Sequence, residues 1–254
     1  MLLDLNLFRQ DFFTRTKDWT WQIQGFIDQE NRVYPIDSDT KVLSTVFERL
    51  ASPVVRSVGE SQGYIIETAN QTTYPDFTLS KYDANQNLLH RIGLDIKTTY
   101  TEKRKTSFSP MLFTLGSYKS FIRNNTKNIL YPYNTYDEHW VLGFVYTRSG
   151  AFEEYNLDNI PERGAIACPY NIESIFFREK HAITGLRAGS GNTANIGSIK
   201  VKDPADFSTE NGPFTNFSFI KSACDYYWCN YERLKNAIKT ERDLLEHPEF
   251  QQFK

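Results

Sequence analysis

The sequence predicts an α/β fold with a mixed central β-sheet flanked by helices, and three observations predict it. A capped, amphipathic helix begins near Asp39. Two strand-like segments, one after Tyr74-Pro75-Asp76-Phe77 and one around Leu94-Asp95-Ile96-Lys97-Thr98, are joined by a polar turn. His139 to Thr147 is a nearly continuous apolar run, as expected of a central strand covered on both faces. With 254 residues, 40% of them hydrophobic, the chain can bury one sizeable core.

Taken in order, a short N-terminal section leads through Val33-Tyr34-Pro35 to the first helix. Leu43, Val46, Phe47 and Leu50 fall on an i, i+3, i+4, i+7 stripe and should face the core, while Lys41 and Glu48 fall opposite it. Pro53 should bend or restart the helix. The hairpin comes next, its polar turn covering 81–87. Phe113-Thr114-Leu115 reads as a brief strand and Gly116 to Leu130 as a helix carrying basic residues. Beyond Thr147 the chain reads as irregular, then ends in a charged helix from about Tyr231 to Leu245, with Tyr226, Tyr227 and Trp228 packing that end.

The hairpin carries the chemistry. Eighteen residues, 77–94, separate Asp76 from Asp95, and a hairpin would set the two carboxylates side by side. Residues two apart on a strand share a face, so Asp95 and Lys97 project together while Ile96 turns away, leaving its carbonyl as an additional oxygen donor. Attack on a phosphodiester needs positive charge over its non-bridging oxygens and a water acidified to near neutral pH. Two carboxylates holding Mg²⁺ supply both, and Mg²⁺ accepts a site with few protein oxygens because it keeps waters and substrate phosphate in its shell. On their own, these residues read more readily as a turn aspartate after proline and a cross-strand charge pair.

A second segment, Ala188 to Ile199, is almost free of charge and dense in Gly and Asn. Asn can read adenine in the major groove, a Thr methyl can touch thymine, and Gly lets backbone amides approach base edges. A plain surface loop is the alternative; a phosphate loop is disfavoured because G-K-[ST] is missing.

Together these segments resemble the EcoRV-type type II restriction endonucleases of the PD-(D/E)xK nuclease superfamily. The resemblance rests on Ser38 to Thr45, Tyr74 to Leu79, Asp95 to Thr101, Ser120 to Ile129 and the Gly-Ser-Gly-Asn loop, in the family's order from about residue 31 to about residue 200. It implies a restriction-endonuclease-like core in a single nuclease domain over 1–254, with an N-terminal dimerisation section (about 1–60) and a C-terminal DNA-recognition section (about 150–254). It implies Asp76, Asp95 and Lys97 as the catalytic set with Glu48 assisting, and Asp76, Asp95, Ile96 and Glu48 as metal ligands. Base readout carries over to Gly189, Ser190, Gly191, Asn192, Thr193 and Asn195, and backbone contacts to Thr40, Lys41, Thr99, Ser120, Asn125 and Lys127. Where the family has a paired-glutamine minor-groove loop, this chain reads Asn70-Gln71, one methylene shorter at the first position. The carboxylate spacing is also a few residues longer than in the family's best known member, attributed to the turn at 83–87.

The resemblance further implies a Mg²⁺-dependent homodimer cutting double-stranded palindromic DNA, with Mn²⁺ substituting, Ca²⁺ supporting binding without cleavage, a partner DNA methyltransferase and a bacterial cytoplasmic setting. GATATC, cut bluntly, is the expected site. A repair or junction nuclease on the same core and a non-catalytic DNA-binding protein are the competing readings.

Composition fits without revealing any of this. A net charge of −2 and a pI near 6.1 exclude a generic polyanion binder. Between Lys97 and Lys127, however, stand seven basic residues and one acidic, a net +6, either a solvated face or a phosphate track. Cys168, Cys224 and Cys229 form neither a disulfide framework nor a metal pattern. The four histidines lack paired-ligand spacing, and no covalent nucleophile is supported by spacing. Asp4, Arg9 and Asp11 interrupt the apolar N-terminus, and no run is long enough to predict a membrane span.

Overall fold

The protein is described from a computed structural model covering residues 2–70, 72–149, 163–189 and 194–254. Helix α1 (Leu5–Thr16) begins where the Asp4 carboxylate accepts the Asn6 and Leu7 amides, and its Phe8 and Phe12 rings pack edge-on against Phe177. Strands β1 (Gly25–Ile27) and β2 (Val33–Pro35) form a small antiparallel ribbon. Helix α2 (Thr40–Ser61) starts as expected at Asp39, whose side chain accepts the Lys41 and Val42 amides. Leu43, Val46 and Phe47 are buried and Leu50 is half-buried.

Pro53 does not restart α2, which runs unbroken to Ser61. The carbonyl that proline leaves without its helical partner belongs to Arg49. Both residues are exposed, so water replaces the lost hydrogen bond.

Strands β3 (Ile65–Thr68), β4 (Phe77–Tyr82), β5 (Leu88–Thr101), β7 (Glu138–Arg148) and β8 (Tyr170–Glu179) form a five-stranded mixed sheet in that order, with only β5 and β7 parallel. The expected hairpin is β4–β5. Its turn is tied by the Asp83 carboxylate, which accepts the Asn85 and Asn87 amides. The longer turn leaves the functional end in register, with Phe77 opposite Leu94.

The expected central strand is β7, covered on both faces. Trp140, Leu142, Phe144 and Tyr146 enter a core shared with α1 and α2, while Val141 and Val145 enter a second core against the C-terminal section. Gly143 makes room on that second face, since a Cβ there would come within 2.2 Å of the Phe176 ring. On β5, Ile92, Leu94 and Ile96 join the first core, so Asp95 and Lys97 emerge on the opposite face.

Three expectations fail. Strand β6 (Thr114–Ser117) is present, but Gly116 to Leu130 is a chain of turns instead of a helix. Gly116 has φ +104° and Asn128 φ +54°. Ser117 Oγ accepts the Lys119 amide at 3.2 Å, and the Ser120 carbonyl accepts both Arg123 and Asn124 amides. Short polar side chains here compete with helical bonding. The stretch after Thr147 is not irregular throughout, because β8 pairs along β7. Asn171, Glu173 and Ser174 hide its strand pattern, while the adjacent Phe176 and Phe177 serve opposite cores because successive strand residues face opposite sides. The final helix is two short ones, α4 (Tyr231–Leu234) and α5 (Glu241–Glu246), because Thr240 opens a new capping box with Asp243.

Strand β10 (Asn195–Ser198) lies between β6 and β9 (Thr184–Ala188) in a three-stranded antiparallel sheet. Helix α3 (Ile220–Cys229) buries Tyr227 and Trp228 as expected. All three cysteines are free thiols. Among the described residues, no helix is long and apolar enough to cross a membrane.

Candidate active site

The site forms where the β4–β5 ladder ends. The last paired residues are Phe77 and Leu94, so Asp76 and Asp95 come next, across from each other. No strand partner remains on that side for the Ile96 amide, and Asp76 Oδ2 accepts it at 2.6 Å. Asp95 is buried, and its Oδ2 lies 2.5 Å from Lys97 Nζ. The Tyr74–Pro75 peptide leading into Asp76 is cis.

Burial, reinforced by the Asp95 charge, pushes the Asp76 carboxyl up to about 7, against the opposing pull of Lys97 and the Ile96 amide. At Lys97, burial acts to lower the ammonium, but Asp95 and Asp76 outweigh it and hold it above the ordinary lysine value. Two carboxylates crowded together disfavour joint ionisation, so a cation between them would relieve a strain already present.

These groups open into a cleft of about 480 Å³, also lined by Thr72, Gly116, Lys119, Ser120, Lys127 and Ala194. The basic run thus divides. Lys97, Lys119 and Lys127 line the cleft, whereas Lys103, Arg104 and Lys105 sit on an exposed turn.

The other expected residues are placed unevenly. Half-buried Glu48 projects from α2, and its charge is one of those raising Lys97. Among the described residues no three His, Cys, Asp or Glu side chains converge on one point. Ser120 and Lys127 line the cleft. Asn125 is instead engaged with Asn134, through its amide donor at 2.7 Å and its carbonyl oxygen at 2.9 Å. Thr99 Oγ1 donates to the Leu112 carbonyl at 3.0 Å. Thr40 begins α2, and Lys41 borders a different, apolar cleft with Ile23, Phe26 and Leu50.

At the expected readout loop, the Gly189 amide donates to the Asn195 carbonyl at 2.9 Å and closes the loop base. Ser190, Gly191, Asn192 and Thr193 lie outside the described residues, as does Gln71. Exposed Asn70 accepts the Thr73 amide through its carbonyl at 2.8 Å. Asn195 pairs with Ser117 of the cleft wall, so the loop base and the carboxylates share one small region.

The family model described as Restriction endonuclease EcoRV matches residues 17–254. The type II restriction enzyme EcoRV of Escherichia coli is 43% identical over 218 residues, covering 84% of this chain and 83% of that protein. The chain belongs to the EcoRV family of restriction endonucleases. These are hydrolases acting on DNA, and the mixed sheet with flanking helices is the EcoRV-type fold.

Within this EcoRV frame, the hard oxygens of Asp76 and Asp95 suit a Mg²⁺-like cation. Sequence reasoning missed Lys180, whose buried ammonium lies over the Tyr74 ring. It stands in the polar block Arg178-Glu179-Lys180-His181, where no spacing signal distinguishes it from a surface turn.

Proposed function

We propose that this chain is a type II restriction endonuclease that cuts double-stranded DNA at a palindrome, GATATC with a blunt central cut, by Mg²⁺-dependent hydrolysis leaving 5′-phosphate and 3′-hydroxyl ends. The observation that carries this reading is the facing pair Asp76 and Asp95, with Lys97 ion-paired to Asp95, in a cleft also lined by Lys119 and Lys127.

Asp76, Asp95 and the Ile96 carbonyl would hold the cation, which when bound supplies positive charge to the scissile phosphate and acidifies a water. Lys97 orients the attacking water or balances the charge that develops on phosphate oxygens. Asp95 fixes the Lys97 ammonium through their 2.5 Å contact. Glu48 adds negative charge on the Lys97 side. Lys119, Lys127 and Ser120 bind the phosphate backbone and hold the strand against the carboxylates. Mn²⁺ would substitute, and Ca²⁺ would support binding without cleavage.

Gly189 to Thr193 with Asn195 would read base edges in the major groove, and Asn70-Gln71 would approach the minor groove. Thr40, Lys41, Thr99 and Asn125 would contribute further backbone contacts. The central TA step would be read through its easy bending.

The whole chain acts as one nuclease domain and as a homodimer, since a two-fold protein matches a palindrome. Phe26 and Ile27, 57% and 62% exposed beside the apolar cleft of Ile23, Val42 and Leu50, support a dimerisation section within about residues 1–60. About 150–254 is the recognition section. A methyltransferase protecting the same sites belongs to such a system, with both in a bacterial cytoplasm.

The decisive experiment is digestion of a sequenced plasmid with purified protein and Mg²⁺, followed by run-off sequencing of the ends. Discrete blunt cuts at GATATC are expected. Discrete cuts elsewhere would overturn the site, and structure-dependent nicking or no cutting would overturn the activity.

A further inference from the structure

Lys180 follows β8 and precedes the short turn into β9, the strand that ends at the readout loop. Its side chain is 2% exposed, rare for lysine. Its Nζ has no hydrogen-bond partner among the described residues, although an ammonium carries three donors and no acceptor. Burying such a group is unfavourable unless its surroundings compensate.

The compensation comes from the active site. Nζ lies 4.6 Å from the centre of the Tyr74 ring and 5.0 Å from that of Phe121, and these rings stack on each other at 4.3 Å. A cation over aromatic faces is attracted by their quadrupoles. Tyr74 is two residues before Asp76, and its hydroxyl is 2.8 Å from His139 Nδ1. Burial pulls the Lys180 ammonium down to about 8, and the negative charge of Asp95 only partly opposes it. A Cβ at Gly116, in the cleft wall, would lie 3.9 Å from Nζ.

The Lys180 backbone is equally well fixed. Its amide donates to the His139 carbonyl at 2.8 Å, and its carbonyl accepts Thr184 Oγ1, the first residue of β9, at 2.7 Å. One residue therefore holds the root of the loop-bearing strand with its main chain and the approach to Asp76 with its side chain.

We infer that Lys180 is a positioning residue that couples base readout at the end of β9 to the placement of the catalytic carboxylates. It does not line the cleft and acts through Tyr74, Phe121 and Asp95. Coupling of this kind is established only by an effect that depends on both sites. The inference rests on the proposed endonuclease reading.

The test uses full-length protein and the variants Lys180→Met and Lys180→Arg. Single-turnover cleavage with Mg²⁺ is measured on a duplex carrying the site mapped for the wild type and on one altered at a single base pair. Duplex affinity in Ca²⁺ is followed by fluorescence anisotropy. In Lys180→Met the cognate rate should fall about tenfold or more, the altered-site rate less than about threefold, and affinity should stay within about threefold. Lys180→Arg, which keeps the charge over the rings, should recover most of the cognate rate.

An unchanged cognate rate, or parallel losses on both duplexes, overturns the inference while leaving the endonuclease reading intact. Failure of the wild type to cut any duplex overturns both. Should Lys180→Met not fold, Phe121→Leu removes one ring face and keeps the ammonium. It should give the same asymmetric loss on a smaller scale, and a symmetric loss or none overturns the inference.

Discussion

Asp76 accepts the backbone amide of Ile96 at 2.6 Å, so the carboxylate that precedes β4 closes a hydrogen bond the ladder would otherwise have made. The same carboxyl is also hydrogen-bonded to Asp95. Lys97, one residue beyond Ile96, is paired to Asp95.

Replacing Lys97 with Ala removes the ammonium paired to Asp95, and replacing Asp95 with Ala removes an oxygen from the proposed metal site. Either should lower Mg²⁺-supported cleavage by about 10²-fold or more, with specific binding in Ca²⁺ retained. Parallel cleavage and anisotropy titrations check this, and persistent Mg²⁺-dependent cutting would refute the assignment.

Asn192→Ala should cost about 1–3 kcal/mol of discrimination between the cognate duplex and one altered at a single base pair. Competition binding in Ca²⁺ measures it. Unchanged discrimination would mean that the loop is not the reader.

Phe47→Ala should destabilise the fold by about 3–5 kcal/mol, because it empties a fully buried ring site. Phe47 stacks on Phe144 at 4.8 Å and meets Tyr170 edge-on, so helix and sheet both border the void. Urea denaturation reports the loss as a lower midpoint.

His139 should make the fold acid-sensitive. Its burial, with the charges of His181, Lys221 and Lys180, holds its pKa well below 6.5, so the folded state keeps it neutral while the unfolded state takes up a proton below about pH 6.5. Stability is then full above pH 6.5 and falls as pH drops, by up to about 1.4 kcal/mol per pH unit from this one group. His139→Gln should show a shallower decline between pH 5 and 6.5 in urea titrations. Equal slopes would count against a neutral buried His139.

The helix cap at Asp39, the hairpin and the β7 run were legible because each obeys a local rule of capping, turn chemistry or apolar continuity. Asp76, Asp95 and Lys97 were legible in kind, since their spacing on one hairpin puts them together. The turns after Gly116 were not, because Phe121 and Ile129 mimic a helical stripe while packing instead around Tyr74 and Tyr133. Neither was Lys180, whose significance depends on contacts 106 and 59 residues away in sequence, at Tyr74 and Phe121.

The bond from Ile96 to Asp76 gives one carboxylate two occupations. A substitution there would disturb the strand that carries Asp95 and Lys97 as well as the chemistry, so a drifting lineage loses foldedness along with activity. An inactive descendant that keeps its shape is therefore more readily reached through Lys97, which terminates no ladder, than through Asp76.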